Sequence, residues 1–124
     1  MDDAETIMIV DDQEVILMVL EKILKKSGYK VEACLSGEEC LRGIYTTIPD
    51  LIILDLEMPG MDGYETFAQL RDNPVTESTP VFFLSSMAKD LQMLHLGEDE
   101  GADEYLTKPI NKEELLEKIQ FALT

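Results

Sequence analysis

The sequence predicts an α/β fold in which a doubly wound parallel sheet is covered by helices on both faces. Two observations predict it. Five short apolar runs alternate with five helical patterns, and three of those runs are nearly continuous in Ile, Val, Leu or Phe. Continuous runs of this kind are typical of strands that are buried on both faces of a parallel sheet. Right-handed crossovers between the strands then distribute the helices over both faces.

The predicted elements follow from these patterns in chain order. The strands cover Thr6–Val10, Lys30–Leu35, Leu51–Leu54, Val81–Leu84 and Glu104–Leu106. The second and fifth are mixed in polarity, so we expect them nearer the edges of the sheet. The helices lie near residues 13–27, 37–46, 63–72, 88–97 and 112–123. Gly28 favours the end of the first helix, whereas Asp62 and Asn111 are predicted to cap the third and the last.

The bulk properties indicate a single domain over residues 1–124. A chain of 124 residues is long enough for one hydrophobic core and too short for two. No apolar run approaches the roughly 20 residues of a membrane span, and the acidic Met1–Glu5 segment is unlike a signal peptide, so we expect a cytoplasmic protein. The formal net charge of −16 argues against direct binding of nucleic acid. Cys34 and Cys40 are interpreted as buried free thiols, because their spacing matches no redox or zinc motif.

Side chains with candidate chemical roles follow the first, third, fourth and fifth predicted strands. Asp11 and Asp12 come after the first strand, Asp55 after the third, Ser85 after the fourth and Lys108 after the fifth. Function in such sheets sits at the carboxyl ends of the strands. Three carboxylates about 5 Å apart repel by roughly 3 kcal/mol per pair at an effective dielectric constant of about 20, so we expect a cation among them. Oxygen ligands without His or Cys nearby favour Mg²⁺.

These groups are the ones needed for phosphoryl transfer onto a carboxylate. Asp55, at the centre of the edge, is the predicted nucleophile, with Lys108 neutralising charge and Ser85 donating to a phosphoryl oxygen. Taken singly, Asp11 or Asp12 is also explained as a helix N-cap, Ser85 as a turn residue and Lys108 as a solvated charge. Their conjunction at one edge favours the functional interpretation.

Three segments resemble the receiver domains of two-component response regulators. They are Ile9–Asp12, Ile53–Gly63 with its specific Asp-x-x-Met-Pro-Gly-Met-Asp-Gly pattern, and Gly101–Pro109. The resemblance covers essentially the whole chain and implies a flavodoxin-like (βα)₅ fold with strand order 2-1-3-4-5. It also implies a signalling domain that catalyses only its own phosphorylation and dephosphorylation.

The resemblance implies a ligand set for the metal. Asp12 resembles the direct Mg²⁺ ligand, Asp11 the acid that holds a metal-bound water, and Asp55 the phospho-accepting aspartate. The backbone carbonyl of Glu57 would complete the protein's share of the coordination, and Mn²⁺ can substitute for Mg²⁺.

The resemblance also implies a switch and partners. Lys108 would pair with the phosphoryl group, Ser85 would be the switch hydroxyl and Tyr105 the switch aromatic residue. The donor would be a sensor histidine kinase, a histidine phosphotransfer protein or a small acyl phosphate. The fourth helix, fifth strand and fifth helix would signal to an output domain or effector protein, and a phosphorylation-dependent dimer remains open.

Two residues are expected to set how long the phosphoryl group persists. The Glu57 side chain either approaches the ion or hinders the hydrolytic water. Met87, two residues past Ser85, is apolar and cannot orient that water. We therefore expect slow to moderate self-dephosphorylation.

The first helix carries six consecutive apolar residues, which is more than one buried stripe requires. We expect the stripe that faces the sheet to be Ile16, Val19, Leu20, Ile23 and Leu24. Val15, Leu17 and Met18 then face solvent as a candidate docking patch for the kinase or phosphotransfer helix, with extra packing within the fold as the alternative. The acidic residues between 98 and 104 are interpreted as a solvated face, with a basic partner as the alternative, and His95 as a packing or surface residue.

Other classes of protein share parts of this pattern. An aspartate-nucleophile phosphatase would normally carry a second Asp where Glu57 stands, and a plain metal-binding domain would not explain Lys108. A flavodoxin-like electron carrier would need a phosphate loop after the first strand. The sequence leaves open whether the chain is a free-standing receiver or part of a larger regulator.

Overall fold

The computed structural model describes residues 4–86 and 103–124. The strands are β1 Thr6–Val10, β2 Lys30–Cys34, β3 Leu51–Asp55, β4 Val81–Ser85 and β5 Glu104–Thr107. The described helices are α1 Glu14–Lys26, α2 Gly37–Gly43, α3 Gly63–Arg71 and α4 Lys112–Leu123. None of these helices is both long and apolar enough to cross a membrane.

All five strands pair in parallel in the order β2-β1-β3-β4-β5, which confirms the predicted sheet. The three continuous apolar runs form the central strands, and the two mixed runs form the edges. β3 and β4 are buried along their whole length, whereas β2 is mostly exposed. The strand order reverses between β1 and β3, so the carboxyl ends of these two strands meet at the switch point of the sheet.

Alternate residues of the central strands contribute to two hydrophobic cores on opposite faces of the sheet. One core contains Met8, Val10, Ile52 and Leu54 with side chains of α2 and α3. The other contains Ile7, Ile9, Leu51 and Ile53 with side chains of α1 and α4. Burial on both faces fixes the register of the strands, and with it the edge at which their carboxyl ends align.

Short polar side chains begin three of the helices. Asp62 accepts a hydrogen bond from the backbone N–H of Glu65, and Asn111 accepts one from that of Glu114, as predicted. Ser36 caps α2 in the same way through the N–H of Glu39. These caps satisfy N–H groups that have no partner within the helix.

The position of α1 on the sheet corrects one sequence expectation. Leu17 is buried together with Leu20 and Leu24, so the prediction that Leu17 faces solvent is wrong. Val19, which was assigned to the buried stripe, is 43% exposed. A run of six apolar residues contains no periodicity that could define the phase of the helix, and the packing against β1 and β2 decides it. The helix predicted near residues 88–97 lies outside the described residues.

Candidate functional site

Strand register brings the predicted site residues to one edge of the sheet. Val10 pairs with Leu54, so Asp11, directly after β1, lies beside Asp55 at the end of β3. Ser85 ends the neighbouring strand β4 and pairs with Thr107, which directly precedes Lys108. Side chains that are distant in sequence therefore meet at the carboxyl ends of four strands.

Asp11, Asp12 and Asp55 form a carboxylate cluster. One oxygen from each residue lies within 4.8 Å of the others. Asp11 and Asp55 are completely buried, whereas Asp12 is exposed. Asp11 Oδ1 accepts the backbone N–H of Gln13 at 2.9 Å, which satisfies only one oxygen of that carboxylate.

Two oxygens of this cluster are poorly satisfied. Oδ2 of Asp55 is buried with no hydrogen-bond partner among the described residues. Oδ2 of Asp11 is also buried, and its close contact is the ammonium of Lys108 at 3.0 Å. Unsatisfied buried carboxylate oxygens are costly unless a cation compensates them. An unpartnered oxygen of Asp55, beside the Asp11 carboxylate and the exposed Asp12 carboxylate, fits a hard divalent cation that keeps part of its water shell. The donor set therefore suits Mg²⁺.

Lys108 provides a positive charge to the same carboxylates. Its Nζ lies 3.0 Å from Asp11 Oδ2 and 3.6 Å from Asp55 Oδ1, and it donates a hydrogen bond to Gln13 Oε1 at 3.1 Å. The Lys108 side chain is only 12% exposed. The ammonium is thereby held between β1 and β3, in contact with both buried acids.

The pKa of Asp55 is raised to about 7, first by burial and then by the negative charge of Asp11. A hydrogen bond from the backbone N–H of Glu57 and the charge of Lys108 oppose this shift only in part. Burial alone would lower the pKa of Lys108, but its close contact with Asp11 and the charge of Asp55 raise it instead. The site is therefore deficient in positive charge.

The Glu57 side chain reaches across to the end of β4. Its carboxylate accepts hydrogen bonds from the hydroxyl of Ser85 and from both the backbone N–H and the hydroxyl of Ser86, the latter two at 3.1 Å. Its backbone N–H donates to Asp55 Oδ1 at 3.2 Å. Glu57 thus connects the loop after β3 with the end of β4, an arrangement that the sequence did not indicate.

Two glycines shape the loop between β3 and α3. Gly60 has a φ of +74°, a backbone conformation that favours glycine. A Cβ at Gly63 would lie 2.3 Å from the backbone oxygen of Asp55 and 2.7 Å from Cα of Leu56. Glycine at position 63 therefore permits α3 to begin directly against the strand end that carries Asp55.

Tyr105 lies in β5 and is half-buried. Its ring packs edge-to-face on Phe83 of β4, with ring centroids 5.8 Å apart. Its proposed role as a switch residue remains a prediction.

The remaining predicted residues lie outside the carboxylate cluster. In α1, Val15 and Met18 are 69% and 67% exposed, as expected for a docking patch, and only Leu17 departs from the prediction. Met87, His95 and the acidic residues 98–100 lie outside the described residues. Cys34 and Cys40 are buried free thiols whose pKa values burial raises to about 12, in line with the structural interpretation.

Sequence reasoning missed two contact residues of the site. Gln13 binds Lys108, and Ser86 binds Glu57. Only their positions in the sequence could have indicated these two residues, because each directly follows a predicted site residue at a strand end.

Fold and site together define a class of protein: a doubly wound parallel sheet with an acidic cluster and a lysine at the switch point. Residues 7–120 match the family model described as the response regulator receiver domain. The chain belongs to this family.

Individual relatives agree with this assignment. Protein PilG of Pseudomonas aeruginosa is 42% identical over 119 residues, which cover 95% of this chain and 87% of PilG. A crystal structure of a putative response regulator from Chloroflexus aurantiacus is 36% identical with a TM-score of 0.89, covering 98% of each chain. The chain spans about half the length of two other relatives, both transcriptional regulatory proteins.

One solved relative contains a metal. The receiver domain of a sensor histidine kinase from Pseudomonas aeruginosa has a magnesium ion coordinated in its active-site cleft. It is 27% identical to this chain, with a TM-score of 0.86, and the alignment covers 97% of this chain and 98% of the relative.

Proposed function

We propose that residues 1–124 form one receiver domain in which Asp55 accepts a phosphoryl group in the presence of Mg²⁺. The observation that carries this proposal is the convergence of Asp11, Asp12 and Asp55 within 4.8 Å, with Lys108 Nζ 3.6 Å from Asp55. A carboxylate nucleophile with a metal site and an ammonium group beside it is suited to phosphoryl transfer.

The carboxylates of Asp11, Asp12 and Asp55 and the backbone carbonyl of Glu57 would hold the ion, and Mn²⁺ can substitute. When bound, the ion supplies positive charge for the phosphoryl oxygens. An oxygen of Asp55 forms the new bond to phosphorus, while the bond from phosphorus to the donor's leaving atom breaks and the donor keeps that electron pair. Lys108 stabilises the charge of the phosphoryl oxygens. The product is an acyl phosphate on the protein itself, so the domain catalyses only its own modification and its reversal.

Ser85 and Tyr105 are the proposed switch residues. The Ser85 hydroxyl lies at the end of β4, where it can turn to a phosphoryl oxygen on Asp55. The half-buried Tyr105 of β5 packs on Phe83 of β4. A rearrangement at the end of β4 can therefore be transmitted to Tyr105 through this contact. The described part of the output surface is β5 with α4, where Phe121 is 87% exposed.

The proposed phosphoryl donors are a sensor histidine kinase and a histidine phosphotransfer protein, and the receiver of the signal is an output domain or an effector protein. Val15 and Met18 are exposed in the first two turns of α1, close to the edge that carries Asp11. This apolar pair is the proposed docking patch. A dimer that forms on phosphorylation would use the output surface.

Intact-mass measurement after incubation with acetyl phosphate tests the proposal. Wild-type protein with Mg²⁺ should gain one phosphoryl group, and Asp55→Asn should gain none. Wild type in excess EDTA should react far more slowly. A phosphoryl adduct that persists in Asp55→Asn would overturn the assignment.

A further inference from the structure

The end of β4 directs three hydrogen-bond donors, from Ser85 and Ser86, at a single carboxylate. Ser85 Oγ donates to Oε2 of Glu57, and the backbone N–H and Oγ of Ser86 both donate to Oε1. Ser85 is 1% exposed, so its hydroxyl is shielded from solvent. Three convergent donors, one of them a backbone N–H, form a binding site for an anion. In the unmodified chain this anion is the side chain of Glu57.

The site lies beside the predicted acceptor. Glu57 contacts Asp55 through its backbone N–H while its carboxylate occupies the donors at β4. Asp55 pairs with Leu84, so Ser85 is one residue beyond the position opposite Asp55 on the neighbouring strand. A phosphoryl group on Asp55 would therefore come within reach of the donors that Glu57 occupies.

We infer that Glu57 is an intramolecular competitor of the phosphoryl group. Its carboxylate occupies the donors of Ser85 and Ser86, and phosphorylation of Asp55 displaces it from them. This inference rests on the proposed function and assigns Glu57 a positioning role, because it acts by holding Ser85 and Ser86. One oxyanion replaces another, so Ser85 and Ser86 keep hydrogen-bond acceptors while Glu57 is released.

The competition lowers the rate of phosphoryl acceptance. Only the fraction of molecules in which Glu57 has left the donors can use them to bind the incoming group, and the apparent affinity for that group falls by the same fraction. Simple repulsion between the Glu57 charge and the phosphoryl group would also slow acceptance. The two causes differ in how they depend on the length of the side chain at position 57. Repulsion needs only a negative charge there, whereas hydrogen bonding to Ser86 requires the full length of the Glu side chain.

The test compares Glu57→Asp with Glu57→Ala, which both keep the backbone carbonyl at position 57. Glu113→Gln serves as a control, since it removes one negative charge at an exposed position of α4. Acetyl phosphate and Mg²⁺ are added, and the initial rate of adduct formation is measured by intact mass. In this reaction an Asp55 oxygen bonds to phosphorus, and acetate leaves with the electron pair of the broken phosphorus–oxygen bond.

Both Glu57→Asp and Glu57→Ala are expected to accept the phosphoryl group about tenfold faster than wild type, and the control should match wild type. If Glu57→Asp stays as slow as wild type while Glu57→Ala is fast, repulsion is the cause and the inference is wrong. Unchanged rates in both variants would also overturn it, while leaving the proposed function intact. Absence of an adduct in every protein would overturn both.

A second measurement isolates the role of the donors. Glu57→Ala is introduced into a Ser85→Ala/Ser86→Ala background, where Glu57 has lost two of its three donors and keeps only the Ser86 N–H. The acceleration should fall from about tenfold to about twofold, because the effect of Glu57 is transmitted through the missing hydroxyls. A full acceleration in this background would contradict the competitor role.

Discussion

The ammonium nitrogen of Lys108 lies 3.6 Å from Oδ1 of Asp55, a carboxylate that is completely buried. The same nitrogen contacts Asp11 at 3.0 Å. One positive charge thus serves two buried acids, with the exposed Asp12 beside them. Without a bound metal ion, the site is short of positive charge. The effect of this deficit on stability and metal binding can be measured without a phosphoryl donor or a partner protein.

The first prediction concerns pH and stability in the absence of metal. Folding raises the pKa of Asp55 from 3.8 to about 7, so between these values the native state holds a proton that the unfolded chain has lost. The stability contributed by Asp55 is therefore present at low pH and is lost as the pH rises through about 7. Asp55→Asn should not lose stability in this way, because the Asn side chain does not ionise. In EDTA at pH 8 its free energy of unfolding should exceed that of wild type by roughly 2–4 kcal/mol.

Urea unfolding of both proteins from pH 4 to pH 8 measures this difference. It should shrink towards pH 4, where Asp55 of the native protein is protonated. Addition of Mg²⁺ at pH 8 should stabilise wild type more than Asp55→Asn. Equal stability of the two proteins at pH 8 in EDTA would show that the buried charge is already compensated.

The second prediction concerns the metal ligands. Asp12→Ala should weaken Mg²⁺ binding at least about tenfold, because it removes one of three carboxylates at a site with few protein ligands. Asp72→Ala is the matched control, since it removes an exposed aspartate at the end of α3. The chain has no tryptophan, so isothermal calorimetry is the suitable measurement. Equal weakening by both substitutions would indicate that overall charge, and not the carboxylate cluster, attracts the ion.

The third prediction concerns Gly63. Gly63→Ala places a Cβ 2.3 Å from the backbone oxygen of Asp55, so α3 or the strand end must move. We expect a loss of roughly 1–3 kcal/mol in stability together with weaker Mg²⁺ binding. Gly43→Ala is the control, because its Cβ would meet nothing closer than Met8 Cε at 3.4 Å. Normal Mg²⁺ affinity in Gly63→Ala would mean that the close approach is not needed for the site.

The fourth prediction separates docking from packing in α1. Met18→Glu should change stability by less than about 0.5 kcal/mol and should slow transfer from a kinase or phosphotransfer protein while sparing acetyl phosphate. Leu17→Glu should unfold the protein or cost several kcal/mol, because it buries a charge between α1 and the sheet. Urea unfolding and the two phosphorylation assays distinguish these results. Equal loss with both donors in Met18→Glu would exclude the docking patch.

The sequence was sufficient for the fold and for the edge that carries the site. The continuous runs in β1, β3 and β4 can be buried only in a central position, and a residue that directly follows a strand has a definite place at the sheet edge. Asp11, Asp55, Ser85 and Lys108 could be placed for this reason. Side-chain direction at such positions follows from strand geometry and needs no knowledge of neighbours.

The errors and omissions share a different physical origin. The phase of α1 depends on packing against the sheet, and the run around Leu17 and Val19 is apolar on all sides. The Glu57 carboxylate lies several rotatable bonds from its backbone, so its partners at β4 depend on side-chain conformation. The contact between Gln13 and Lys108 likewise depends on the conformations of two long side chains. Sequence patterns specify backbone position well, and they specify the ends of long side chains poorly.

Borohydride trapping after phosphorylation tests the central claim most directly. Borohydride reduces an aspartyl phosphate to homoserine, which peptide mass mapping locates in the sequence. After treatment with acetyl phosphate and Mg²⁺ we expect homoserine at position 55, and none in a sample without the donor. Homoserine at position 11 or 12 in place of 55, or a phosphoryl adduct on another type of residue, would contradict the account.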